Sequence, residues 1–189
     1  MEIFEYVIVL TSIVIGLAVT HLMQGIAGLV QHPGKDKVWW VHLGWVVFWL
    51  LTSIFWWWWE FRLQQIHVWT FQLYLFVTIY AFTIYLICAL LFPSNLEGYE
   101  GYRDYLLSRR RWIYGLMLFA LTLDVFDTLV KGIDYFLSLG ASYVIVNGLF
   151  ALVCLASFLS RRNWVHGAGV LIALAMQAVR VIAYYDTIA

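Results

Sequence analysis

Residues 112–134 read WIYGLMLFALTLDVFDTLVKGID, an apolar run that nevertheless carries Asp124, Asp127, Lys131 and Asp134. A bilayer core about 30 Å thick takes roughly 20 helical residues to cross, so this run is long enough to span it. The four charges stand three, four and three residues apart. On a helix that spacing puts them on one face, leaving Leu, Val, Phe and Ile on the others. An ionised side chain facing lipid is costly, so the stripe must look into a helical bundle, into water, or at compensating charge. A single amphipathic helix in water would show a polar half rather than a polar stripe. The segment therefore predicts a transmembrane helix with a charged inner face.

Five further apolar runs flank it, at 3–30, 38–59, 69–92, 141–159 and 164–185, which with 112–133 make six. The breaks between them are well marked: His32-Pro33-Gly34-Lys35-Asp36-Lys37, Pro93-Ser94-Asn95, Lys131-Gly132-Ile133-Asp134 and Arg161-Arg162-Asn163. The sequence predicts an all-α, polytopic integral membrane protein, with residues 1–189 forming one bundle of six transmembrane helices. Composition agrees, because 64% of residues are hydrophobic and only 12% charged, whereas soluble domains carry about 25% charged residues. A water-soluble fold is excluded. Eleven basic residues balance eleven acidic ones, so no nucleic-acid partner is expected, and Cys88 and Cys154 inside apolar runs suggest neither a disulfide framework nor a zinc site. The first run is expected to stay as helix one: Glu2 and Glu5 stand where a signal peptide has basic residues, and no small-residue cleavage pattern follows.

The loops after spans one, three and five hold eight basic residues, Lys35, Lys37, Arg103, Arg109, Arg110, Arg111, Arg161 and Arg162, against Arg62, Lys131 and Arg180 on the other side. By the positive-inside rule the odd loops are cytoplasmic and both termini outside, in an inner cell membrane. Trp39, Trp40, Trp112 and Trp164 then mark one interface, and Trp56 to Trp59 with Trp69 mark the other. The cytoplasmic loop 94–111 is expected to hold a short interfacial helix laying Tyr99, Tyr102, Tyr105 and Leu106 on the membrane surface.

Two three-helix halves in tandem would have opposite orientations. Thr20-His21-Leu22-Met23-Gln24-Gly25-Ile26 aligns with Asp127-Thr128-Leu129-Val130-Lys131-Gly132-Ile133, and Gly44 with Gly148, so an inverted repeat is a further expectation.

Depth sorts the ionisable residues. Counting about 1.5 Å per residue, Asp124 lies near the midplane, Asp127 roughly 6 Å outward and Arg180 roughly 8 Å outward. This predicts an Arg180 pair with Asp127 and leaves Asp124 as the carboxylate free to titrate or to bind a ligand. Glu60, Arg62, Gln64, Gln65 and His67 are expected to form the outer turn between helices two and three, close in depth to Lys131 and Asp134, either as a solvated loop or as the rim of an outward-facing vestibule. Trp45, Trp49 and Trp56 recur at helical spacing toward Glu60, a pattern that suits either core packing or cation–π binding.

His21 and His42 count to one level, roughly 7 and 10 Å from the middle, with His166 a little deeper toward the cytoplasm. As imidazoles on neighbouring antiparallel helices, His21 and His42 are the candidate ligands for a haem or a metal ion. No catalytic motif is present: no HExxH, GxSxG, phosphate loop or paired cysteines. Three readings follow. The first is a transporter or channel-like protein moving a small ion or metabolite, with Asp124, Asp127, Lys131 and Arg180 at its site. The second is a haem- or metal-binding redox protein using His21 and His42. The third is a non-catalytic membrane subunit or sensor. Glycines and alanines within the spans would also permit a homodimer in the lipid bilayer.

Overall fold

The computed structural model describes residues 3–34, 36–66 and 68–184; Glu2, Lys35, His67 and Tyr185, which carried some of the expectations above, lie outside them. The chain forms α1 (Ile3–Gln31), α2 (Trp40–Trp59), a 3-10 turn (Glu60–Gln65), α3 (Phe71–Leu91), α4 (Tyr102–Val130), α5 (Ile133–Ser138), α6 (Gly140–Leu159) and α7 (Asn163–Tyr184). Among the described residues six helices are long and apolar enough to cross a membrane. The protein is an all-helical, six-span membrane bundle.

The long helices close a ring in the order α1, α3, α4, α6, α7, α2, and α2 also touches α3 and α4, so it runs nearest the middle. Its central residue Trp45 is fully buried, edge-on to Phe48, Tyr114 and Phe150 at 5.5, 5.6 and 6.4 Å between ring centroids. Trp49 and Trp56 continue the same face inward, so this tryptophan stripe is core packing. Trp40, Trp112 and Trp164 at one end and Trp57 and Trp58 at the other stand exposed, as two interfacial belts require.

Two boundaries differ from the sequence expectation. The stretch after Pro93 does not lie on the membrane surface as a separate helix. Gly101, at φ 141, makes a turn that a side chain would obstruct, since a Cβ there would come within 2.7 Å of Lys37. Helix α4 then runs unbroken from Tyr102, and its 29 residues span about 43 Å, longer than the bilayer core. Tyr102, Tyr105 and Leu106 are buried inside the bundle, the Tyr105 hydroxyl donating to the Leu90 carbonyl at 2.8 Å. At the other end Gly132, at φ 126, stops α4 at Val130 and starts the short α5.

The expected inverted repeat finds no counterpart in the packing. In the first half α1 packs extensively on α3; the equivalent α4–α7 pair is not among the principal contacts, and α4 instead packs on α6. Gly44 lets α2 approach α7, where a Cβ would stand 2.6 Å from Val170, whereas Gly148 has open space. Gly25 packs mid-helix under Phe92 while Gly132 terminates a helix. The aligned glycines do different jobs, so their similarity reflects shared membrane composition.

Candidate functional site: a charged cluster between α4, α6 and α7

The spacing on α4 carries Asp124, Asp127, Thr128 and Lys131 to the inner face, while Asp134 falls on α5 and is exposed. Lys131 is held between two acids: Nζ lies 2.9 Å from Glu60 Oε1 and 2.5 Å from Asp127 Oδ2. All three side chains are at most 6% exposed. Glu60 is therefore not part of a solvated turn, although Gln64 and Gln65 beyond it are exposed. The tightening of α2 into a 3-10 turn at Glu60 leaves this carboxylate directed inward, where Lys131 supplies the counter-charge that a buried acid requires.

Asp124 sits one turn deeper. Its Oδ1 accepts from the Tyr80 hydroxyl at 3.3 Å, and its Oδ2 from the Tyr143 hydroxyl at 2.8 Å and Asn147 Nδ2 at 3.4 Å. Arg180 does not pair with Asp127 as its depth suggested. Lys131, four residues along the same helix, already occupies that carboxylate, and Arg180 donates to Asn147 Oδ1 on neighbouring α6. The Asn147 carboxamide thus lies between Arg180 and Asp124, donating to one and accepting from the other. The structure brings Asp124, Asp127, Lys131 and Arg180 to one cluster, with different pairings from those expected.

Hydrogen bonding is incomplete. Glu60 Oε2, Asp127 Oδ1 and Trp56 Nε1 are buried without a partner. A cavity of about 60 Å³ opens on this group, lined by Glu60, Asp127, Lys131, Tyr143, Asp124 and Arg180 among others. A second of about 50 Å³ lies on the other side of Asp124 and Arg180, with Trp49, Thr52, Tyr80 and Gln177 in its wall. Each has room for a few waters, since one occupies roughly 10–15 Å³ on such a measure. Beside the mouth, the Arg62 guanidinium lies 4.4 Å from the Tyr135 ring centroid. Burial raises the Tyr135 phenol's pKa, and Lys131 and Arg62 oppose that shift.

The histidines occupy the opposite end and are handled differently. His21 and His42 direct Nε2 to the carbonyls of Phe92 and Leu91 at 2.8 and 2.7 Å, capping the end of α3. A carbonyl only accepts, so both rings carry the proton on Nε2. His42 is fully buried, stacked on Tyr102 at 4.2 Å and meeting Phe92 edge-on at 5.1 Å. Phe92 also presses on Gly25, one turn from His21. These rings fill the space a flat cofactor would need between the two histidines, so the pair does not fit a haem. No group of three or more His, Cys, Asp or Glu is arranged to hold a metal among the described residues. His21 also borders a cleft of about 750 Å³, open at this end between α1 and the 92–102 segment. His166 bonds Tyr114 through Nδ1 at 2.9 Å.

Sequence reasoning missed Tyr80, Tyr143, Asn147 and Gln177 and misplaced Glu60. Asn147 and Gln177 were visible as amides in mid-span, each an expensive residue to bury in lipid. Tyr80 and Tyr143 gave no such signal among twelve tyrosines. Comparison with family models, with curated proteins and with solved structures finds no match, so the functional reading rests on this geometry.

Proposed function

We propose that the protein is a transporter or channel-like protein for a small ion, with Asp124, Asp127, Glu60, Lys131 and Arg180 as its central site. The observation that carries this reading is the unfinished bonding. Glu60 and Asp127 each keep one buried carboxylate oxygen outside their bonds to Lys131, and both residues line a cavity, inside a bundle where every unpaired polar atom is costly. A purely structural ion pair gains by satisfying all its atoms; an ion site keeps some in reserve. The cavity volumes favour a small ion over a metabolite. The excess of basic residues at the end opposite the site favours a cytoplasmic placement of that end, with both termini outside.

The test is electrical. Protein reconstituted into liposomes on a solid support is challenged with gradients of protons, sodium, potassium and chloride. The proposal expects a current above protein-free liposomes for at least one ion, lost in Arg180→Gln. No current for any of the four overturns it.

A further inference from the structure

Asp124 separates the two cavities, and its two oxygens are assigned to different sides. Oδ2 meets Tyr143, which lines the first cavity; Oδ1 meets Tyr80, which lines the second. We infer that the ion handled here is the proton, passed across Asp124 between the two cavities by a hydroxyl relay at Tyr143 and Thr128. This rests on reading the cluster as an ion site and names the ion.

The neighbours of Asp124 select a proton over a metal cation. Tyr80 from α3 and Tyr143 and Asn147 from α6 all direct hydrogens at its carboxylate. From α7 Arg180 bonds Asn147, adding positive charge on that side. A bare alkali or alkaline-earth ion needs several oxygen lone pairs pointing inward, and at the Asp124 carboxylate these donors take them. A proton needs one. Asp127 on the same helix and Glu60 at the end of α2 are held by Lys131, leaving Asp124 the carboxylate without a direct cation partner among the described residues.

The Tyr143 hydroxyl has three acceptors for one hydrogen, the two nearer being Asp124 Oδ2 at 2.8 Å and Thr128 Oγ1 at 3.0 Å, with the Asp124 backbone carbonyl at 3.4 Å. Thr128 gives its own hydrogen to the Asp124 backbone carbonyl at 2.8 Å, which leaves its oxygen open to Tyr143. With Asp124 ionised, Tyr143 donates to it. When a proton from water in the first cavity binds Oδ2, the new O–H donates to Tyr143, whose hydrogen turns to Thr128. One O–H bond forms on Asp124 as one breaks on the hydrated proton, and nothing else changes. Rotation of the carboxyl about Cβ–Cγ, a soft torsion, presents the proton to the second cavity. There the buried Gln177 side chain and the unpartnered Trp49 indole N–H provide a polar wall for receiving water.

Two readouts test this. In pyranine-loaded proteoliposomes, Tyr143→Phe keeps the carboxyl but removes the hydroxyl that turns with each protonation, and proton flux should fall roughly tenfold, the scale of one hydrogen bond to a charged group. In detergent, acid-minus-neutral difference infrared spectra should show a protonated carboxyl band that Asp124→Asn removes and that both Tyr143→Phe and Thr128→Val shift. Sodium or potassium flux without proton flux, and no Asp124 band, overturns the relay while transport stands. An Asp124 band that responds to Tyr143→Phe with no flux of any ion overturns transport, and with it the passage of the proton between the cavities. Tyr143→Phe leaving both flux and band unchanged removes the relay directly.

Discussion

At the basic end of the bundle, His21 and His42 each spend a ring nitrogen on a carbonyl at the end of α3, and aromatic rings fill the space between them. In the charged cluster Lys131 bonds Glu60 and Asp127, and Asn147 bonds both Asp124 and Arg180, yet carboxylate oxygens remain unpartnered and two cavities border the group. In sequence the two regions look alike, since each is a set of polar residues inside apolar spans. The structure separates them by what is left unpartnered and where: the Nδ1 nitrogen of His42 among packed rings at the basic end, and two carboxylate oxygens of cavity-lining residues in the charged cluster. Each of these histidines fastens one helix to the next, whereas the charge cluster leaves carboxylate oxygens unpartnered beside water-sized space, the feature on which the proposed ion site rests.

The largest expected effect comes from breaking the charged half. Lys131→Met leaves Glu60 and Asp127 buried without their shared cation, and removing one partner of a buried pair costs about 3–5 kcal/mol. Thermal unfolding in detergent, followed by tryptophan fluorescence, should show this loss, and Glu60→Gln in the same chain should recover part of it. His42→Phe probes the other half. It leaves the Leu91 carbonyl without its donor, which costs about 1–3 kcal/mol in the same assay. Ion currents should be unchanged apart from the amount of folded protein.

Cysteine labelling sharpens the contrast without relying on stability. In a Cys88→Ser, Cys154→Ser background, Thr128→Cys and Gln177→Cys should react with a small water-soluble thiol reagent, because these positions border or face the cavities, whereas His42→Cys under Tyr102 should be protected. Equal protection at all three would place both halves in the same dry core. The smallest effect belongs to Asp134→Asn. Asp134 is exposed and has no partner among the described residues, so stability should change by less than about 0.5 kcal/mol. That would confine the buried charge of the stripe to Asp124, Asp127 and Lys131.

The six spans, the tryptophan belts and the charged face of α4 were legible because each depends on local periodicity and on the cost of burying charge in lipid. The break at Gly132 was legible too, but the start of α4 at Gly101 was not, since a glycine permits a turn without requiring one. Partner choice within the cluster was out of reach of depth counting. The four-residue spacing of Asp127 and Lys131 made their pairing legible, whereas depth, which put Asp127 and Arg180 at one level, gave no sign that Arg180 turns to Asn147. Glu60 was read as solvated because it follows four tryptophans at a helix end. Its burial depends on a lysine 71 residues away in sequence. The inverted repeat failed for a related reason: matches between apolar segments carry little information when Leu, Gly and Ile dominate every span.

The most direct test of the central claim joins function to folding at one residue. Asp124→Asn keeps the shape and the capacity to bond Tyr80, Tyr143 and Asn147 but cannot hold a negative charge. The account predicts a variant that unfolds close to the wild-type temperature and carries no ion current in proteoliposomes. A variant that folds equally well and conducts as the wild type does would contradict it, and would make the cluster a fastening between helices like the histidines at the other end.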